Sequence, residues 1–162
     1  MKKILRCCFA GHSHIYDNTI KDKIKEVAEK LIINFNVKEF WIGNYGEFDR
    51  CAKAAMKELQ SHYSDIRINL VIPYLTKDII VANRDFLSKS FNQLIIAEYA
   101  PSTPKKFQII KSNRYMIDHS DFLICYIEHS WGGAFQTFEY AKKKKIHIIN
   151  IETTKKSNTQ ND

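Results

Sequence analysis

Arg114, the pair Gly132-Gly133 and Glu139 are the residues whose types and order best suit chemistry on a phosphorylated ligand. Arg114 precedes an apolar run, Phe122 to Ile127, that reads as a buried strand. The glycine pair then opens a helical stretch that carries Glu139 in its second turn. Free N–H groups and the dipole at such a helix start attract phosphate. Paired glycines let a ligand approach the backbone closely. An arginine there can neutralise phosphate or a developing charge, and the glutamate can orient a ribose or act on a glycosidic bond. The bland alternatives are a tight strand-to-helix turn, a surface arginine and an ordinary helical acid.

Two further segments carry candidate ligand contacts. Gly11-His12-Ser13-His14 offers backbone, imidazole and hydroxyl donors to a phosphate. Its histidines do not read as metal ligands. An i, i+2 pair in an extended segment points to opposite sides, and no nearby Asp or Cys completes a set. In Gly43-Asn44-Tyr45-Gly46-Glu47-Phe48-Asp49 the backbone of Gly43, Asn44 and Gly46 can wrap a phosphate or ribose. Tyr45 or Phe48 can stack on a base, and Asp49 can take a ribose hydroxyl. Asp49 equally suits a plain first-turn acid that complements the helix dipole.

The elements needed to position these segments alternate along the chain. Ile4 to Ala10 reads as a strand ending at Gly11, Thr19 to Asn34 as a helix, and Glu39 to Ile42 as a strand. Phe48 to Tyr63 is helical in pattern, with Cys51, Ala52, Ala55, Met56 and Leu59 inward, and Ile68 to Ile72 is a strand. Residues 75–107 are ambiguous: Leu75 to Phe91 fits a helix, and Leu94 to Ala97 fits a short strand or a loop. Lys106 to His119 reads as a helix with Phe107, Ile110, Tyr115 and Ile117 as apolar positions. Phe122 to Ile127, a helix including Thr137 to Lys144, and a strand over Ile146 to Ile151 complete the order.

Several strands are apolar throughout, which calls for a parallel sheet covered on both faces by helices. The expected fold is α/β, a single Rossmann-like domain over residues 1–151 with a mostly parallel sheet. Residues 152–162 read as a polar, disordered tail. In such folds ligands bind beyond the carboxyl ends of strands, near a topological switch point. The three glycine-containing loops fall at those ends.

Composition sets the bounds. The chain has 162 residues, 44% hydrophobic and 27% charged, enough for one real core. No apolar run approaches the ~18–20 residues of a membrane span, so no membrane partner is expected. Met1-Lys2-Lys3 is followed by Arg6 and lacks a cleavage site, which favours a cytoplasmic protein. Cys7, Cys8, Cys51 and Cys125 show no C-x-x-C spacing and read as free thiols, with neither metal nor cofactor implied. The net charge of +7 comes mainly from dispersed lysines, which reads as a solvated surface before it reads as a nucleic-acid face.

Arg114-x-Met116, Ser120-Asp121-Phe122-Leu123-Ile124 and Gly132-Gly133 followed by Glu139 together resemble the SMF/DprA–LOG (SLOG) superfamily of Rossmann-like domains. The resemblance is strongest to its YpsA-like branch of unknown function and runs from about Ile4 to Ile151. In the phosphoribohydrolases of that superfamily an arginine and a Gly-Gly-x-Gly-Thr-x-x-Glu motif follow in the same order. The resemblance thus implies catalytic roles for Arg114 and Glu139 and phosphate contacts for Gly132 and Gly133. Phe135 and Gln136 depart from the motif's second glycine and its threonine, and Thr137 carries a hydroxyl one position later.

These departures favour binding over turnover. The resulting expectation is a protein that binds a nucleotide or nucleotide-derived small molecule, as a sensor or a processing protein. The first alternative is an N-glycosidic hydrolase or transferase acting on nucleoside monophosphates. The second is a nucleic-acid binder, since the superfamily includes DNA-processing proteins. A homo-oligomer is compatible with either.

Overall fold

A computed structural model describes residues 3–73 and 89–152. The expected helix over Leu75 to Phe91 therefore lies mostly outside the described residues, as does the tail beyond Glu152. Ten elements follow in order: β1 (Arg6–Gly11), α1 (Ile20–Phe35), β2 (Glu39–Ile42), α2 (Glu47–His62), β3 (Arg67–Ile72), β4 (Gln93–Ile96), α3 (Lys105–Asp118), β5 (Phe122–Tyr126), α4 (Gly133–Lys144) and β6 (His147–Asn150). The strands form one six-stranded sheet in the order β4-β3-β2-β1-β5-β6, and every pairing is parallel. This is a single-domain α/β fold of Rossmann-like form.

The side-chain alternation of the strands sorts the core into two layers. Cys7, Phe9, Phe40, Ile42, Ile68 and Ile124 pack against Ile20 and Ile24 of α1 and Phe48, Met56 and Leu59 of α2. On the other face Cys8, Ala10, Trp41, Val71, Leu123 and Cys125 meet Met116 and Ile117 of α3 and Ala141 of α4. Helices α1 and α2 keep their buried residues at i, i+4 and i+3 spacing, which is what a helix lying on a sheet requires. Helix α3 differs from expectation. It buries only Ser112, Met116 and Ile117, all in its second half, while Phe107 near its start is 44% exposed.

Of the expected strand over 94–97, Leu94, Ile95 and Ile96 fall in β4 at the sheet edge, where Leu94 and Ile95 are half-buried and Gln93 and Ile96 exposed, so the sheet has six strands among the described residues. Cys7, Cys8 and Cys125 are buried free thiols, and burial pushes the thiols of Cys8 and Cys125 up to about 12. The lysine run 142–145 closes α4: Lys142, Lys143 and Lys144 fill its last turn, where they oppose the helix dipole. Lys145 then takes a left-handed φ of 57°.

A polar network ties the amino ends of β1, β2 and β3. Glu39 Oε1 accepts from Trp41 Nε1 at 2.7 Å and from Asn69 Nδ2 at 3.0 Å, and it pairs with Arg6 Nη2 at 3.2 Å. The Arg6 guanidinium lies 4.0 Å from the centre of the Trp41 ring system, and its Nη1 donates to His119 O at 2.6 Å.

The carboxyl end of β1 is held differently. A Cβ built on Gly11 would lie 2.2–2.6 Å from ring atoms of Phe48, so the ring occupies the space a side chain would need. Gly11→Ala is therefore expected to cost about 1–3 kcal/mol in chemical denaturation. Adding Phe48→Leu should recover part of that loss. An unchanged unfolding midpoint in the single variant would show that the ring yields freely and that this contact sets nothing.

Candidate functional site

From β1 the chain steps out through β2 and β3 to β4, then returns to the opposite side of β1 as β5. Loops leaving the carboxyl ends of β1 and β5 therefore run apart and leave a crevice between them. A cavity of about 450 Å³ opens there. Gly11, His12, Ser13 and His14 line it after β1, Tyr45 and Asp49 from the β2–α2 turn, and Glu128, His129, Trp131, Gly132 and Gly133 after β5. Ile109 and Asn113 of α3 complete its wall.

The two loops on the α2 side are sewn together by backbone. Gly46 has φ 108°, and a Cβ there would stand 2.6 Å from Ser13 Cα. The N–H of Glu47 donates to Ser13 O at 3.0 Å, and the N–H of Ile15 donates to Glu47 Oε2 at 2.9 Å. Gly46 thus brings the loops together without lining the cavity.

Gly43 has a similar supporting place. The space beside its Cα is taken by the Asp49 carboxylate, 3.1 Å from where a Cβ would be. Asp49 Oδ2 accepts the N–H of Tyr45 at 2.9 Å. Burial outweighs that hydrogen bond and raises the Asp49 carboxyl to about 7. Asp49 is accordingly a group in the cavity that can give or take a proton near neutral pH.

At the β5 side, Gly132 has φ 91° and caps α4, and no side-chain oxygen caps the helix. Neither Gly132 nor Gly133 has any atom within 4 Å of a built Cβ. Their lack of side chains serves no packing among the described residues. It leaves the start of α4 open to the cavity.

A column of three stacked rings stands beside this opening. His12 and His129 stack at 3.7 Å between centroids and 15° between planes, and His129 and Trp131 at 3.8 Å and 19°. His12 is buried, and its Nε2 accepts the N–H of Glu128 at 3.1 Å, which fixes its orientation. Burial first, then the neighbouring His129, lowers the His12 pKa, and because Nε2 accepts that hydrogen bond the neutral ring carries its proton on Nδ1. Trp131, the outermost ring, is 70% exposed.

Of the residues singled out in the sequence, Gly11, His12, Ser13, Tyr45, Asp49, Gly132 and Gly133 meet at the cavity. Gly43, Asn44, Gly46, Thr137, Arg114 and Glu139 do not line it. Thr137 is buried and donates its hydroxyl to Gly133 O at 3.0 Å, inside its own helix. The Arg114 guanidinium sits 5.2 Å from the Tyr140 ring centre, and Glu139 pairs with Lys142 at 2.6 Å. Ile109, Asn113, Glu128, His129 and Trp131 were not read from the sequence. The polar and aromatic run Glu128-His129-Ser130-Trp131 between a strand end and a glycine pair was the available signal for three of them. No lysine or arginine lines the cavity among the described residues.

The sequence model of the YspA SLOG family (YpsA) matches residues 7–156. The chain belongs to this YpsA-type SLOG family. It is similar to the uncharacterized SPbeta prophage-derived protein YoqJ of Bacillus subtilis (strain 168), at 26% identity over 140 residues, 76% of this chain and 81% of YoqJ. Its fold is similar to that of DNA processing protein A (DprA) from Streptococcus pneumoniae, with a TM-score of 0.62 and 17% identity over 90% of this chain and 49% of DprA. DprA from Helicobacter pylori, described for its single-stranded DNA binding mode, aligns with a TM-score of 0.60 and 15% identity, over 89% of this chain and 63% of that protein. The chain thus spans about half to two thirds of these two DprA structures. Among the described residues no helix is long and apolar enough to cross a membrane.

The Asp49 environment makes a pH-dependent prediction. Its folded pKa lies above its unfolded value, so the protonated form stabilises the fold and that contribution is lost as pH rises through about 7. Asp49→Asn keeps an acceptor for the Tyr45 N–H and removes the charge. Its melting temperature should exceed that of the wild type most above pH 7, and the gap should close as pH falls toward about 4. Melts in which the gap is constant across this range would show that Asp49 is well solvated.

Proposed function

We propose that the switch-point cavity binds a nucleotide or nucleotide-derived small molecule, seating its phosphate at the start of α4. The observation that carries this reading is Gly133. It begins a helix with no side-chain cap, it lines the cavity, and no atom stands within 4 Å of where a Cβ would be. No packing demand among the described residues calls for glycine at this position. Close approach of a ligand to the backbone does.

The electrostatics narrow the ligand. Positive potential in the cavity comes from the helix start, while Asp49 and Glu128 add carboxyl groups. With no lysine or arginine in the lining, a single phosphate is favoured over a triphosphate, whose extra charge would meet no cation. This supports a sensor or processing protein for a nucleoside monophosphate or a compound of similarly low charge.

Two rival readings make separate claims. As an N-glycosidase the protein would release free base from nucleoside monophosphates, with Arg114 and Glu139 as the proposed catalytic pair. Their distance from the cavity lining favours binding without turnover. As a nucleic-acid binder it would share the single-stranded DNA binding described for the Helicobacter pylori DprA. A cavity without cationic lining is poorly suited to track a phosphate backbone.

The expected outcome in calorimetry is that AMP or another nucleoside monophosphate binds the wild-type protein more tightly than the matching triphosphate. Gly133→Leu should weaken that binding at least about tenfold, or 1.4 kcal/mol, with little change in melting temperature. Equal binding by this variant would remove the start of α4 as the phosphate seat. Free base accumulating with wild type, and not with Glu139→Gln or Arg114→Ala, would establish the glycosidase instead. Oligonucleotide binding that falls steeply with salt would favour the nucleic-acid reading.

A further inference from the structure

We propose that the outer face of Trp131 is the stacking seat for the nucleobase of the bound ligand, an inference that rests on the nucleotide reading of the cavity. Trp131 precedes Gly132 directly, so the proposed base seat and phosphate seat are adjoining parts of one loop. Its ring lines the cavity and is 70% exposed, a large apolar surface left uncovered by the described residues. An isolated exposed tryptophan would carry no meaning, but this one is not held loosely. Its inner face rests on His129, and His129 rests on His12.

His12 anchors the column to the sheet. It follows β1 directly, is 7% exposed, and accepts the N–H of Glu128 from the loop after β5. The stack thus spans the crevice between β1 and β5, and its rigid rings leave few rotamers to freeze when a further ring is added. A planar aromatic ligand would extend the column by one layer. Stacking of this kind accepts any base, because every base presents a π-face. Selection among bases would fall to polar groups of the same cavity, of which the Asn113 amide on the α3 wall is one.

A mononucleotide suits this arrangement better than a strand. The platform closes one side of a cavity of about 450 Å³, and that volume suits a small molecule.

The test compares AMP, which has a base, with ribose 5-phosphate, which shares its sugar and phosphate only. Trp131→Ala should weaken AMP binding roughly 5- to 150-fold, the range for loss of one base–aromatic stack. It should leave ribose 5-phosphate affinity and the melting temperature unchanged. Trp131→Phe should keep most of the AMP affinity. AMP should also quench tryptophan emission in the wild type and not in Trp131→Phe, where only Trp41 remains. If Trp131→Ala leaves AMP affinity unchanged while Gly133→Leu removes it, the stacking seat is overturned and the phosphate seat stands. Equal weakening of AMP and ribose 5-phosphate by Trp131→Ala would also overturn it, since the ring would then only shape the loop. Wild-type protein that binds neither AMP, GMP, CMP, UMP nor ribose 5-phosphate would overturn the nucleotide reading, and this inference with it.

Discussion

The contact on which the site depends is a ring against a bare backbone. Phe48 fills the space where Gly11 has no side chain, and this locks the first turn of α2 against the carboxyl end of β1. Everything on that side of the cavity follows from it. Glu47, one residue earlier, reaches the N–H of Ile15 and gives its own N–H to Ser13. Asp49, one residue later, is placed in the cavity beside Gly43 and Tyr45. A packing constraint in the core thereby becomes a positional constraint on a carboxyl group.

The two ends of the sheet are held by different physics. At the amino ends, Arg6, Trp41 and Asn69 converge on one carboxylate oxygen of Glu39, and three strands share a largely buried polar network. Removing one member would strand the others, which makes this end costly to alter. At the carboxyl ends, backbone hydrogen bonds, glycine contacts and stacked rings do the holding. The charged and amide side chains thus hold one end of the sheet, and backbone and ring contacts hold the other.

Much of this order is legible in the chain. Strands such as Phe122 to Tyr126 are apolar at every position, and that pattern announces a sheet buried on both faces. The glycine-containing loops fall after β1, β2 and β5, so their meeting at one rim follows from a parallel sheet. Edge strand β4 is ambiguous in sequence because four residues, two half-buried and two exposed, carry little periodic signal. Arg114 shows a subtler limit. Sequence order places α3 near the site but does not give its rotation. Ile109 and Asn113, four apart, share the face that lines the cavity, and Arg114 lies about 100° further round, over Tyr140. Glu139 lies six residues into α4, about 9 Å along its axis from Gly133. The Gly11–Phe48 contact joins residues 37 apart in a way no local pattern encodes.

The absence of lysine and arginine from the cavity lining has a kinetic consequence. The cations that give the chain its charge of +7 act, among the described residues, from outside the pocket. Their field reaches about a Debye length and speeds the diffusional arrival of an anion. For the proposed phosphate ligand, residence time would then be set inside, by the helix start and by contacts at van der Waals range. Arrival and departure of such a ligand would be controlled by different residues, so ionic strength should tune the first and leave the second nearly untouched.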